Sequence, residues 1–207
     1  MIRIHETSPG VVTLVLDRPD KANALTADML AALTEAVEGA GRSGARALIL
    51  TGAGKVFSAG ADLDAAKAGL ATSPAWERLS GAIAALPCLT VAALNGTLAG
   101  GAFGMALACD LRIAVPGARF FYPVMRLGYL PQPSDPARLV ALVGPARAAM
   151  ILMAGAKIDA DEALAFGLID RIVPPEALMD SAQALCTDAA AASGGHVAAI
   201  RAMIRGA

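Results

Sequence analysis

Residues Asn95–Asp110 read NGTLAGGAFGMALACD. A glycine pair, Gly100–Gly101, stands directly before an apolar run (Ala102, Phe103, Met105, Ala106, Leu107, Ala108) that predicts a buried helix. The first amides of a helix have no acceptor within it, and the helix dipole puts positive charge at the same end. Glycine there removes the side chain that would keep a ligand from the backbone. The terminus therefore suits a phosphate, or an oxyanion that develops during a reaction. A plainer use is a tight turn feeding a core helix, and this stretch alone leaves both open.

Ahead of it, Leu89–Leu94 is a short buried strand. Further back, Ala47–Thr51 (ALILT) is a continuous apolar run, as expected of a strand covered on both faces. It leads into Gly52–Leu63, GAGKVFSAGADL. Gly54–Lys55 is not a phosphate loop, because Ile49 stands where that motif needs glycine and Val56 where it needs Ser or Thr. What remains is a second small-residue loop, Ser58–Asp62. A helix carrying Trp76, Glu77 and Arg78, loosely held by its pattern, separates the two loops. At the N-terminus, Ile2–Ile4 and Val11–Leu16 predict strands joined by Ser8–Pro9–Gly10. After the loop Asp17–Asn23, Thr26 can cap a helix with apolar Met29, Leu30, Leu33, Ala36 and Val37, ended by Gly39, Gly41 and Gly44. The order is strand, small loop, helix, strand, glycine pair, helix, so the fold class is α/β. Two backbone N–H sites, each following a strand, could converge on one acceptor atom.

The 207 residues suffice for one domain, with 56% hydrophobic, 17% charged and few aromatic residues, so the core is aliphatic and alanine-packed. Lys+Arg 17 against Asp+Glu 18 gives no basic field for nucleic acid or an anionic membrane. Three scattered cysteines (Cys88, Cys109, Cys186) and two distant histidines (His5, His196) form no metal ligand set. Buried free thiols and an N-terminus without a signal-peptide core point to the cytoplasm. Leu79–Cys109 carries no charge, but Pro87, Asn95 and its glycines break it into short elements rather than a membrane span.

Five segments in order give the chain a specific likeness. They are LDRPDKANAL (Leu16–Leu25), FSAGADL (Phe57–Leu63), Asn95–Asp110, ARFFYPVMRLGYLP (Ala118–Pro131) and the run Leu139–Val173. Together they resemble the crotonase (enoyl-CoA hydratase/isomerase) superfamily over nearly the whole length. The resemblance implies a spiral core of stacked ββα turns with a C-terminal helical segment, divided as residues 1–190 and 191–207. It implies an acyl-CoA thioester as substrate, a lyase or isomerase activity in fatty acid metabolism, and no cofactor beyond that coenzyme A. The oxyanion hole maps to the backbone N–H groups of Ala61 and Gly101, and losing one such donor typically costs about a hundred- to a thousand-fold in rate. Lys21 and Ala22 map to the CoA groove, where a lysine can meet a phosphate as a point charge. Ala59, Asp62 and Leu63 map along the adenine and pantetheine; Gly60 and Val124 are further substrate-binding candidates, and Tyr122 and Gln132 could sit near the thioester. Lys21 also reads as a solvated loop lysine, and Asp62 as a residue that fixes its own loop.

The departures are as specific. Hydratases of this superfamily place one glutamate three residues after the second oxyanion glycine, here Gly104, and another after the proline, here Val124. Glycine and valine cannot move the protons that hydration needs. Some isomerases carry an acid just after the proline equivalent to Pro131, where this chain has Gln132. Other groups that could sit near the thioester are Tyr129, Arg126, Ser134, Asp135 and, on the helix of Trp76, Glu77. Ser134 or Asp135 before Pro136 predicts a helix cap, and Asp110 reads as structural.

Beyond Pro136 the pattern predicts helices at 137–143, 145–154 and 160–166. An edge strand at 168–173, a helix at 176–193 broken at Gly194–Gly195, and a last helix at 196–205 follow. That last helix carries Val197, Ile200, Met203 and Ile204 on one stripe. Family members continue with helices that pack at a trimer interface, so a trimer or hexamer is the family expectation, set against a short tail here. Two functions stay open: an acyl-CoA enzyme with a relocated base (isomerase, decarboxylase or thioesterase), or a non-catalytic acyl-CoA-binding or subunit-type relative. A serine–histidine hydrolase is weaker, since His5 and His196 lie far from both loops in sequence.

Overall fold

The computed structural model describes residues 1–206, so Ala207 of the expected C-terminal segment lies outside the described residues. The chain opens on an antiparallel hairpin, β1 (Ile2–Ser8) and β2 (Val11–Leu16). β1 continues past Ile4 because its ladder to β2 extends to Ser8, although its side chains are largely exposed. Backbone pairing, not burial, sets its length. α1 (Ala27–Arg42) starts where Thr26 accepts the Met29 N–H, and it buries Met29, Leu30, Leu33, Val37 and Ala40. Gly39 and Gly41 do not end it as expected; the helix runs through both and stops before Gly44, at φ +74. An interior glycine costs a helix roughly 1 kcal/mol, less than the packing of that apolar face supplies.

Three ββα turns follow. The first is β3 (Ala47–Gly52), β4 (Val56–Ser58), then α2 (Leu63–Lys67) and α3 (Ala75–Ala85). The second is β5 (Leu89–Leu94), β6 (Thr97–Ala99) and α4 (Phe103–Ala108). The third is β7 (Leu111–Ala114), β8 (Arg119–Phe121), α5 (Val124–Leu127) and α6 (Asp135–Leu152). The first strand of each turn pairs in parallel with its counterpart (β3 with β5, β5 with β7), and β2 joins β3 in parallel. The second strands pair likewise, β4 with β6 and β6 with β8, in a separate sheet. This is the stacked ββα spiral. Leu48, Ile49, Leu50, Val91, Ala92, Ala93 and Leu94 are fully buried, which accounts for their uninterrupted apolar run. α3 packs between α1 and α4 with Trp76 buried, so it is not the loosely held helix that its sequence suggests.

α6 bends sharply at Gly144 (φ +76) ahead of Pro145, where two helices are expected. β9 (Ile158–Asp159) closes the second sheet against β8, α7 (Ala160–Phe166) follows, and β10 (Arg171–Ile172) joins the first sheet beside β7. Two residues of the predicted edge strand pair; its flanks make single bonds to β7 or its ends. α8 (Leu178–Ala191) lies on β3 and β5. α9 (Gly194–Arg205) includes both glycines in its first turn, capped by Ser193. Of its expected stripe Val197 is buried, while Ile200, Met203 and Ile204 are exposed. Arg201 and Arg205 fasten it instead: both donate to Asp110 (3.0 and 2.8 Å), and Arg201 also donates to the carbonyls of Ala84 (3.0 Å) and Leu86. No described helix is long and apolar enough to cross a membrane.

Candidate active site

The loop Ser58–Asp62 is built against the loop that precedes α1. Ala59 donates to Ala22 O (3.0 Å), Leu25 to Gly60 O (2.8 Å) and Asp62 to Leu25 O (2.9 Å). Asn23, fully buried at φ +52, donates to Ala53 O and Val56 O (2.9 and 2.7 Å) and accepts from Arg18 N (2.8 Å). The Asp62 carboxylate caps α2 and pairs with Arg18 at 2.8 Å. That guanidinium, helped by the Ala65 amide, holds the Asp62 carboxyl below its usual range. Asp62 thus fixes its own loop. The bridge between Leu25 and Ala61 uses Gly60 O and Asp62 N, so the Ala61 amide faces the other way and has no acceptor among the described residues.

The second loop lies directly against the first. Gly60 adopts φ +92, and a Cβ on it would stand 2.9 Å from Ala99 O, so only glycine allows this approach. Gly100–Ala102 forms one 3₁₀ turn that leads into α4. Gly101 sits second in that turn, where an amide has no partner within the helix. Trp76 covers it, its ring 3.1 Å from where a Gly101 Cβ would be, and its indole N–H anchors to Leu70 O at 2.8 Å.

Both amides belong to one small, mainly apolar cavity of about 180 Å³. Of the residues expected at the site, Ala59, Ala61, Leu63, Gly101, Tyr122, Val124 and Gln132 line it. Lys21, Ala22, Gly60 and Asp62 do not line it; they lie in the two supporting loops, with Lys21 exposed at the end of a 3₁₀ turn. A larger hollow of about 490 Å³ beyond Phe121 and Pro123 contains neither amide.

The polar groups behind Tyr122 and Gln132 differ from the sequence expectation. Asp135 does not cap α6 by its side chain; it turns inward, 1% exposed, and accepts from Tyr122 Oη at 2.9 Å. The α6 terminus is served instead by Glu77, which accepts from the Ser134 amide (3.2 Å) and hydroxyl. Gln132 spans the site: its Nε2 donates to Gly101 O at 2.8 Å and its amide to Tyr122 Oη at 3.4 Å. Phe103 stacks on Tyr122 with ring centres 5.3 Å apart. The inward turn has room because residue 104 is glycine. A Cβ there would lie 2.7 Å from Gln132 Oε1 and 3.0 Å from Asp135 Oδ1, and neither oxygen has a partner among the described residues. Burial, against the hydrogen bond from Tyr122, pushes the Asp135 carboxyl up to about 7, and burial beside Asp135 pushes the Tyr122 phenol up as well. Burial also raises all three thiols, Cys88 and Cys186 to about 11 and Cys109 to about 12, which leaves them protonated and unreactive at neutral pH.

Comparison with known proteins bears on the whole chain. The family model described as enoyl-CoA hydratase/isomerase matches residues 6–206. The chain belongs to that family. Within it, a probable enoyl-CoA hydratase of Mycobacterium bovis is 37% identical over 163 residues, 79% of this chain and 67% of that one. A 1,2-epoxyphenylacetyl-CoA isomerase of Escherichia coli is 33% identical over 192 residues, 88% of this chain and 73% of that one. The crystal structure of an enoyl-CoA hydratase from Bacillus anthracis superposes with a TM-score of 0.91 at 31% identity, covering 99% of this chain and 82% of that one.

For this member of the enoyl-CoA hydratase/isomerase family, sequence reasoning reached both loops and the aromatic and amide groups beside them. It missed Trp76 over Gly101, the Asn23 hub, and the link from Gln132 to Gly101. Position 101 is small where Trp76 packs on it, but nothing in the sequence alone couples the two.

Proposed function

We propose that the chain acts on acyl-CoA thioesters and stabilises the enolate, or another thioester oxyanion, at the amides of Ala61 and Gly101. One observation carries this reading: two amides without acceptors among the described residues belong to adjoining loops on one small apolar cavity. Each such donor is worth about 3–4 kcal/mol when charge develops on the oxygen it faces. Exposed Lys21 is then the group for a coenzyme A phosphate, with Ala22, Ala59 and Leu63 along the carrier. The chemistry that fits is proton transfer next to the carbonyl, as in a double-bond isomerisation, because Gly104 and Val124 cannot activate water. Coenzyme A enters as part of the substrate.

Calorimetric titration tests the reading with crotonyl-CoA, free CoA and S-butyl-CoA, a thioether without the carbonyl oxygen. The expected result is saturable binding of crotonyl-CoA that is weaker for the thioether and weakest for free CoA. Equal affinity for all three would show that the carbonyl is not recognised, and no binding of any would sink the acyl-CoA assignment. Gly104 and Val124 also favour a second reading, a non-catalytic acyl-CoA-binding relative. Binding without turnover of any enoyl-CoA would select it.

A further inference from the structure

We propose that Tyr122 is the acid/base group of this site and that Asp135, behind it, is its proton reservoir, the pair using the space that a side chain at residue 104 would fill. The inference rests on the thioester reading above.

Three features converge on it. Tyr122 lines the cavity of the two free amides while its hydroxyl bonds to Asp135 at 2.9 Å, so one residue connects the cavity to a buried carboxyl group. Gln132 fixes that hydroxyl relative to the Gly101 loop, holding Gly101 O by its side chain and Tyr122 Oη by its backbone amide. Last, Asp135 Oδ1 and Gln132 Oε1 are two acceptors without a donor among the described residues, both within about 3 Å of one point, the place of a Gly104 Cβ. A proton on Asp135 supplies a donor where the carboxylate offers none, so the surroundings favour the proton-bound state. The charged groups acting on Asp135 are Glu77 of α3, which favours the proton, and Arg138 of its own helix, which opposes it. Burial is the largest effect and, with Glu77, outweighs both the Tyr122 hydrogen bond and Arg138.

The step balances without another reactant. The step starts from the ionised form of Asp135: Tyr122 Oη takes the α-proton of a 3-enoyl thioester while its own proton passes to the Asp135 carboxylate at Oδ2. The C–H electron pair moves into the new carbon–carbon double bond of a dienolate, whose oxygen is held by the two amides. In return, Asp135 gives its proton back to Tyr122 Oη as Tyr122 delivers one to the γ-carbon, and the dienolate collapses to the conjugated 2-enoyl thioester.

The test follows trans-3-hexenoyl-CoA in D₂O with the full chain and with Tyr122→Phe and Asp135→Asn. Deuterium at the α-carbon is read by mass spectrometry, product by the absorbance of the conjugated thioester, and binding by calorimetry. The expected result is exchange and isomerisation by the wild type, with kcat rising through a pH of about 7 as Asp135 ionises. Both variants should lose about a hundred-fold or more in kcat with KM little changed, and Asp135→Asn should lose that acid limb. Wild-type exchange rates in either folded variant overturn the relay, as does a wild type that binds the thioester and exchanges nothing. A wild type that fails to bind any acyl-CoA sinks the thioester reading itself, which is a different result.

Discussion

Replacing Asp110 by alanine is expected to destabilise the fold by about 3 kcal/mol, and the figure follows from what that carboxylate holds. It accepts from the Thr90 amide (2.9 Å), the Thr90 hydroxyl (2.8 Å), Arg201 Nε (3.0 Å) and Arg205 (2.8 Å). Burial opposes its charge, yet the hydrogen bonds from Arg201, Arg205 and Thr90 outweigh burial and keep its carboxyl below the usual range. Removing one partner of a buried ion pair costs roughly 3–5 kcal/mol, because the other charge is left uncompensated. Arg201 is 9% exposed, but it keeps the Ala84 and Leu86 carbonyls, which argues for the lower end. Urea unfolding of Asp110→Ala, Arg201→Met and the double variant measures the loss and the coupling between the two residues. The double variant should recover stability relative to Asp110→Ala, since the buried cation is gone. Because the Asp110 pKa is depressed, this contribution is present above the unfolded value of 3.8 and is lost as pH falls through the folded one. A loss under about 1 kcal/mol, or single effects that simply add, would refute the account of how α9 is held.

Asp135 should show the opposite pH dependence. Its folded pKa is raised to about 7 from 3.8, so its stabilising effect is full below 3.8 and lost as pH rises through about 7. That amounts to about 4 kcal/mol, and a Tm series on the wild type and Asp135→Asn should show the wild type losing ground across that window. Parallel Tm profiles would count against it. Gly104→Glu alone should not create a hydratase; its Cβ meets Gln132 and Asp135 and should cost about 1–3 kcal/mol. Adding Gln132→Gly and Asp135→Gly should reduce that local clash, read as a smaller loss per added side chain in urea unfolding. Gly60→Ala combines an unfavourable φ with a 2.9 Å contact to Ala99 O, so it should cost about 1–3 kcal/mol and weaken crotonyl-CoA binding. Unchanged stability and affinity would contradict the contact between the two loops.

The features legible in the sequence are those set by local rules. Apolar runs gave β3 and β5, Thr26 gave the start of α1, and the small-residue loops after β4 and β6 gave two places of close backbone approach, whereas the choice of Ala61 and Gly101 came from the family resemblance. Asp135 was illegible for a physical reason. Ser–Asp–Pro is a sound helix-start signal, and whether the carboxylate caps or turns inward depends on an empty volume at Gly104 and a phenol at Tyr122. Both are distant in sequence and meet it only when the second and third ββα turns stack. Gly39 and Gly41 misled in the other direction, since a packed helix face overrides a weak local preference. The stripe on α9 does not reveal what fastens the helix, because Arg201 and Arg205 reach Asp110 from outside that stripe.

The stacking order has a further consequence. The Ala61 amide comes from the first ββα turn, the Gly101 amide from the second, and Tyr122, Gln132 and Asp135 from the third. In the proposed function, recognition of a thioester oxygen is a property of one boundary between layers, and proton handling a property of the next. On that reading, substitutions in the third layer change which reaction follows while the first boundary stays intact. A spiral that works in this way separates holding a substrate from transforming it, so its chemistry can be rewritten one layer at a time.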